Sequence, residues 1–250
     1  MSTALATIDA GSYLALQSGG EILEAMAANL GEGATLKESD LTRVKTPAGG
    51  GTTWTIPGLT GDTETKAITG VLCYMCVRGL LWRSDEPEEG SLPVLVSHDL
   101  KTAKLVLDRA DVPGGMLADI DAATGADGLV DWEKLPQTQY GSGKGGVGKQ
   151  AKEQRVLYIL REEDTLPIVV PINPGSLKGW QRFVVEMTKA GIPYFRAVVE
   201  LALEKAKSTG GTAYSEVVPR LVGVLTPEQG LSVRKNVTPM AQAAAESSFA

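Results

Sequence analysis

Tyr194–Leu203 reads YFRAVVELAL, Ser208-Thr-Gly-Gly211 follows, and Thr212–Leu225 reads TAYSEVVPRLVGVL. Taken alone, the first run fits a strand or a helix. The turn favours a strand, because the second run is rich in Val and can return as the other arm of a hairpin. Working towards the N-terminus, Asn173-Pro-Gly-Ser176 opens a helix with Ser176 as its N-cap. Leu177, Trp180, Val184 and Met187 then recur at spacings of three and four, and Gly191 and Pro193 end the run. Leu166–Ile172 (LPIVVPI) reads as an edge or terminal strand, since Pro167 and Pro171 cannot donate to a ladder. Arg155–Leu160, Ala67–Val77 and Thr53–Ile56 are further short, β-branched and aromatic runs, punctuated by Gly49–Gly51, Pro57-Gly58 and Gly61-Asp62. A short helix is expected over Glu21–Asn29, where Ile22, Leu23 and Met26 share a face. Residues 100–133 carry little β character and read as an insertion, and Thr238–Ala250 reads as a frayed helix or mobile tail. No βαβ alternation is visible. The expected class is mainly β (α+β): a small β-barrel with one strong helix before the last hairpin, long loop insertions and peripheral terminal helices.

The chain has 250 residues, 43% of them hydrophobic, which is enough for a core and excludes a wholly disordered chain. Its longest apolar runs fall far short of the ~20 residues a membrane helix needs. The N-terminal apolar stretch has no basic residue ahead of it, so a signal peptide is not expected. Two cysteines cannot form a disulfide framework, and a reducing cytoplasm fits. The formal charge is −6, and it is unevenly spread. Residues 108–133 hold seven acids against Arg109, whereas residues 134–155 hold Lys134, Lys144, Lys149, Lys152 and Arg155 against Glu153. Such runs most often just solvate a face. A local basic groove can nevertheless bind a polyanion on an acidic protein.

Gly141-Ser-Gly-Lys-Gly-Gly-Val-Gly-Lys149 invites a phosphate-loop reading, and its second half is similar to the variant loop of chromosome-partitioning ATPases. Gln150 stands where a Ser or Thr should hold Mg²⁺, no apolar strand leads in, and a strand rather than a helix is expected after it. A flexible basic loop is the better reading: its glycines let the backbone approach a polyanion and its lysines neutralise phosphates. Cys73-Tyr-Met-Cys76 lies inside an apolar strand, and with a single His elsewhere the chain offers too few ligands for zinc. His98-Asp99 lacks a nucleophile context, so no catalytic residue, metal or cofactor is expected. Trp54, Tyr74, Trp82 and Tyr158 lie in or beside strands, with Arg78, Arg83 and Arg155 close in sequence. Any one of these rings is more often core than surface. As a set beside a basic loop, they suit single-stranded nucleic acid, whose bases stack on rings while cations neutralise its backbone.

Several stretches together resemble a family. Leu41-Thr-Arg-Val-Lys-Thr-Pro-Ala-Gly-Gly-Gly51, Ile68-Thr-Gly-Val-Leu72 and Arg78-x-x-x-Trp82 are similar to its first half. Tyr140-Gly-Ser-Gly143, Gly148-Lys-Gln-Ala-Lys152, Leu166-Pro-Ile-Val-Val-Pro171, Pro174-Gly-Ser-Leu-Lys178 and Gly211-x-x-Tyr214 are similar to its second. The order resembles single-stranded DNA-binding proteins of OB-fold type encoded by bacteriophages and integrative mobile elements, over roughly residues 40–228. Many members of that family carry cysteines near positions held here by Trp132, Leu135 and Ala151, so no metal role is carried over. The resemblance implies an OB-like domain over residues 37–228 with an acidic insertion at about 100–133. An N-terminal helical extension (1–36) and a C-terminal tail (229–250) would flank it.

These readings converge on a non-enzymatic single-stranded DNA-binding protein for replication or recombination of a phage or mobile element, acting in the host cytoplasm without a membrane or cofactor. Trp54, Tyr74, Trp82 and Tyr158 would stack bases, and Arg78, Lys144, Lys149, Lys152 and Arg155 would contact phosphates. The tail, ending in Phe249 and Ala250, would recruit replication or recombination proteins. A structural or protein-interaction component of a mobile element is the alternative, and a P-loop nucleotidase is a third.

Overall fold

The computed structural model describes residues 36–84, 88, 90–208 and 210–248, together with Tyr13, Ala28, Asn29 and Gly31. The expected N-terminal extension falls largely outside the described residues. Of the Glu21–Asn29 segment only Ala28 and Asn29, both helical, are described.

The described chain is mixed α/β and mostly sheet. Strands β1 (Trp54–Ile56) and β2 (Thr63–Thr65) form an antiparallel hairpin of their own. The others are β3 (Ala67–Leu81), β4 (Leu95–Ser97), β5 (Thr102–Leu105), β6 (Val130–Asp131), β7 (Lys152–Leu160), β8 (Ile168–Ile172), β9 (Ala197–Lys207) and β10 (Ala213–Val224). These eight share one sheet in the order β10-β9-β3-β4-β5-β6, with β7 on β3 and β8 on β7. The hairpin, the strand at Ala67–Val77 and the terminal β8 expected from sequence are all present, the second running longer than expected, to Leu81. A closed barrel would need the path to return on itself. Among the described residues it runs out at β10, β6 and β8, with no closing pairing. The helices are α1 (Gly114–Ala123), α2 (Leu177–Lys189), α3 (Pro227–Ser232) and α4 (Thr238–Glu246). By contacts, the chain divides into two compact units, residues 76–155 and the residues before and after them.

In the flanking unit, strand alternation builds the core. Strand β9 shows the pattern: Ala197, Val199, Leu201 and Leu203 point one way into a cluster with Trp54, Ile68, Leu72, Leu157, Ile159, Val170 and Trp180. Val198, from the opposite face, joins a second cluster with Val71, Cys73, Leu160, Leu225 and Val233. Strand β3 departs from strict alternation. Ile68 and Leu72 serve the first cluster, and so does Met75, an odd number of residues on.

The exposed edge of this sheet is closed by side chains. Asn173 Nδ2 donates to the Ser215 carbonyl at 3.1 Å, and the Val217 N–H donates to Ser176 Oγ at 2.8 Å. Residues 215, 217 and 219 of β10 therefore face their backbone groups outward, which is why Pro219, having no N–H, costs the ladder nothing there. Ser176, expected as the helix N-cap, is instead spent on this edge. Asn173 does the local capping, accepting from the Ser176 N–H. Of the two alternatives for residues 238–250, a frayed helix or a mobile tail, the described part is helical. Residues 238–246 form a helix whose Ala241, Ala244 and Ala245 are buried, and Thr238 donates to the Cys73 carbonyl at 2.8 Å. Small residues at helical spacing allow close packing, a pattern that a reading by polarity takes for looseness. Phe249 lies outside the described residues.

Burial also decides the cysteines. Cys73 is fully buried, which pushes its thiol up to about 12, while Cys76 is half-buried. A thiol-specific reagent at pH 8 will label Cys76 ahead of Cys73 in the folded protein, because only the thiolate attacks. Equal labelling rates for the two in the native state would contradict this packing.

The 76–155 unit has its own core of Leu81, Val94, Leu95, Ala103, Val112, Met116, Ile120, Val130, Trp132, Leu135 and Ala151. Residues 100–133, expected as an insertion with little β character, contribute to this core and carry the short strands β5 and β6 and helix α1. Val112, Met116, Ile120 and Ala123 recur at spacings of four and three, a helical apolar face set among acids. The acids Asp108, Asp111, Asp121 and Asp127 stay in solvent. The β4–β5 turn holds Leu100 at φ 61°, a left-handed conformation costly for a branched side chain. Asp99 Oδ1 accepts the N–H groups of Lys101 and Thr102, each at 2.8 Å, and so fixes that turn. Burial works to raise the Asp99 carboxyl, but these N–H groups with Thr102 and Ser97 outweigh it and hold it below its ordinary value. Asp99 is thus committed to a turn.

Candidate nucleic-acid interface

The basic glycine loop leaves the core of the 76–155 unit at Leu135 and returns to it at Ala151, both buried. The Ala151 N–H donates to the Gln137 carbonyl at 2.9 Å, tying the two ends together, and Gln137 Nε2 donates to Asp119 at 2.7 Å. Between these ends the loop folds on itself. The Gly141 and Gly143 N–H groups both donate to the Gly148 carbonyl, and the Gly146 N–H donates to the Gly143 carbonyl. Ser142 Oγ accepts the Gln150 N–H at 3.0 Å. Two glycine requirements are visible. A Cβ on Gly143 would stand 2.3 Å from the Val147 carbonyl oxygen, and Gly145 sits at φ 67°. With three amides spent internally and β7 rather than a helix following, this loop lacks the amide cradle of a nucleotide phosphate site.

What the loop displays is a side-chain set. Tyr140 is 83% exposed and Val147 72% exposed, and Lys144 is exposed between them. An aromatic left in water at that level is unusual for a residue that packs well. Tyr140 was legible only indirectly: its flanking LPQTQ has no apolar periodicity to bury it. Lys149 is drawn into an ion pair with Glu153 at 2.7 Å, and Lys152 Nζ donates to the Lys149 carbonyl at 3.0 Å. Arg155, Lys149 and Lys152 are all half-buried, so Lys144 is the cation of this set that lies out in solvent.

The proposed stacking residues divide sharply. Trp54 is fully buried and its indole N–H donates to the Leu201 carbonyl at 2.9 Å, so it offers no face to a base. Tyr158 is fully buried as well; its hydroxyl donates to Glu38, whose other carboxylate oxygen takes Arg43 at 2.9 Å. This buried chain ties the segment before β1 to β7. Tyr74 is half-buried, with its ring centroid 5.7 Å from that of Tyr158. Arg78 is fully buried, which removes it from phosphate contact. Trp54, Tyr158 and Arg78 each lie within a strand, on a face that the rest of the fold covers. Trp82, one residue beyond β3, is half-buried and lines a pocket in the 76–155 unit.

Among the described residues no group of three or more His, Cys, Asp or Glu side chains is arranged to hold a metal ion, and no helix is long and apolar enough to cross a membrane. Comparison with protein families, curated proteins and solved structures finds no match to this chain.

Proposed function

We propose that this protein binds single-stranded DNA without catalysing a reaction, in the replication or recombination of a phage or mobile element. The observation that carries the reading is the basic glycine loop, which holds Tyr140 and Lys144 out in water on a closed, internally bonded turn. A ring and a cation exposed on one loop suit a flexible strand: one base face covered, one phosphate neutralised. Trp82 adds a second aromatic, whereas Trp54, Tyr158 and Arg78 leave the binding set. In this reading the antiparallel sheet is an OB-like platform that positions the loop, and the protein acts in the cytoplasm.

The test is a titration with labelled oligonucleotides at two salt concentrations. Single strands bind more tightly than duplex, and affinity falls with salt. Tyr140→Ala weakens binding roughly 5- to 100-fold, the range for one stacked base. Lys144→Ala lowers the salt slope by about 0.7, one phosphate on a single strand. Lys149→Ala does less, because that side chain is half-buried whereas Lys144 is exposed. Absence of binding at low salt, or equal affinity for duplex, would sink the proposal.

A further inference from the structure

The pocket at Trp82 lies wholly within the 76–155 unit. Its walls are Trp82, Leu92 and Leu107, and its polar groups include Arg83, Ser84, Glu88 and Ser91. Its volume of about 390 Å³ exceeds what a water cluster needs and suits a flat ring with a substituent. Each part has a local cause. Leu81 turns into the core, and β3 ends there, which leaves the next residue, Trp82, at the rim. The Ser91 N–H and hydroxyl both close on the Glu88 carbonyl, a tight turn that holds Leu92 53% exposed on the opposite wall. Leu107 packs from below against the same core. Arg83 is exposed and makes no ion pair among the described residues.

We infer that this pocket takes a single unstacked nucleobase, with its ring on Trp82 and the adjoining phosphate on Arg83. The inference rests on the single-stranded DNA reading and names the unit of ligand recognised. A half-exposed indole beside aliphatic walls favours a flat π-face over a branched apolar group. The neighbouring guanidinium adds a partner for a phosphate. Glu88 supplies an acceptor at the rim, suited to an amino or imino N–H of a base.

The other three tryptophans isolate the measurement. Trp54, Trp132 and Trp180 are 0%, 2% and 2% exposed, so only Trp82 can meet a ligand directly. In ¹H–¹⁵N spectra of the full chain, dTMP or dAMP added on the order of its expected millimolar Kd shifts one indole N–H resonance saturably. That resonance is the one missing from Trp82→Phe. Trp82→Ala weakens oligonucleotide binding roughly 5- to 100-fold, and Arg83→Ala lowers its salt slope by about 0.7. Circular dichroism of both variants establishes that each is folded. If oligonucleotides bind but no indole resonance moves with mononucleotide, the pocket is not a base site, and the glycine-loop reading stands alone. If mononucleotides shift Trp82 while oligonucleotides do not bind, the pocket stands and the DNA-binding reading fails. Movement of all four indole resonances together would overturn the assignment to this pocket.

Discussion

Trp54→Ala costs the protein about 3–5 kcal/mol of folding stability, the range for removing a buried tryptophan and leaving its cavity. The residue is in the middle of the flanking unit's main cluster, fully buried among Ile56, Leu72, Leu201 and Trp180. Two losses combine in the variant. The apolar surface of the indole is no longer withdrawn from water, and the Leu201 carbonyl loses the indole N–H that reaches it at 2.9 Å. Trp54→Phe separates them: it keeps most of the volume and sacrifices the hydrogen bond, so its cost is about 1 kcal/mol for the bond plus a smaller cavity term. Urea denaturation followed by circular dichroism measures both. Under conditions where the variants stay folded, oligonucleotide affinity is unchanged, because the ring never meets solvent. A Trp54→Ala protein of full stability that has lost DNA binding would return this residue to the binding surface.

Gly79→Ala is the second large effect, and it strikes the 76–155 unit. A Cβ at Gly79 would stand 2.4 Å from Cζ2 of Trp132 and 2.8 Å from two further atoms of the same ring. Trp132 is 2% exposed and packed among Leu81, Leu95 and Leu135, so the ring has little room to move aside. Overpacking of this kind costs about 1–3 kcal/mol, and the rigidity of a fused ring places the change at the upper end. The cause is testable by coupling. Trp132→Phe removes the six-membered ring that meets the new Cβ, so Gly79→Ala costs less in that background than in the parent protein. Equal costs in the two backgrounds would show that the destabilisation comes from the strand and not from the ring.

The two cases show where the primary sequence is informative. Strand β3, the β9–β10 hairpin and helix α2 are legible because each carries a local signal: β-branched and aromatic content, a glycine turn, or apolar residues at three and four. The α1 face is equally present in Val112, Met116 and Ile120, but seven acids and Gly114-Gly115 obscure it. The aromatic set shows a different failure. Trp54, Tyr74, Trp82 and Tyr158 all stand in or next to strands, and local sequence does not say whether a strand's second face meets water or another layer. The glycine loop reads as a basic segment rather than a nucleotide cradle, since Gln150 follows Lys149 and a strand follows both. The exposure of Tyr140 within it has no direct signal in the residue order.

Residue order alone was enough for placing β3, the β9–β10 hairpin and α2, for the glycines that the tight turns demand, and for the uneven charge, because these depend on near neighbours and backbone sterics. Burial was settled by contacts across more than a hundred residues: Trp54 with Leu201, Tyr158 with Glu38, Thr238 with Cys73. Such contacts exist only once the sheet has formed. They turned two expected stacking rings into core, and they left Tyr140 exposed and Trp82 half-buried.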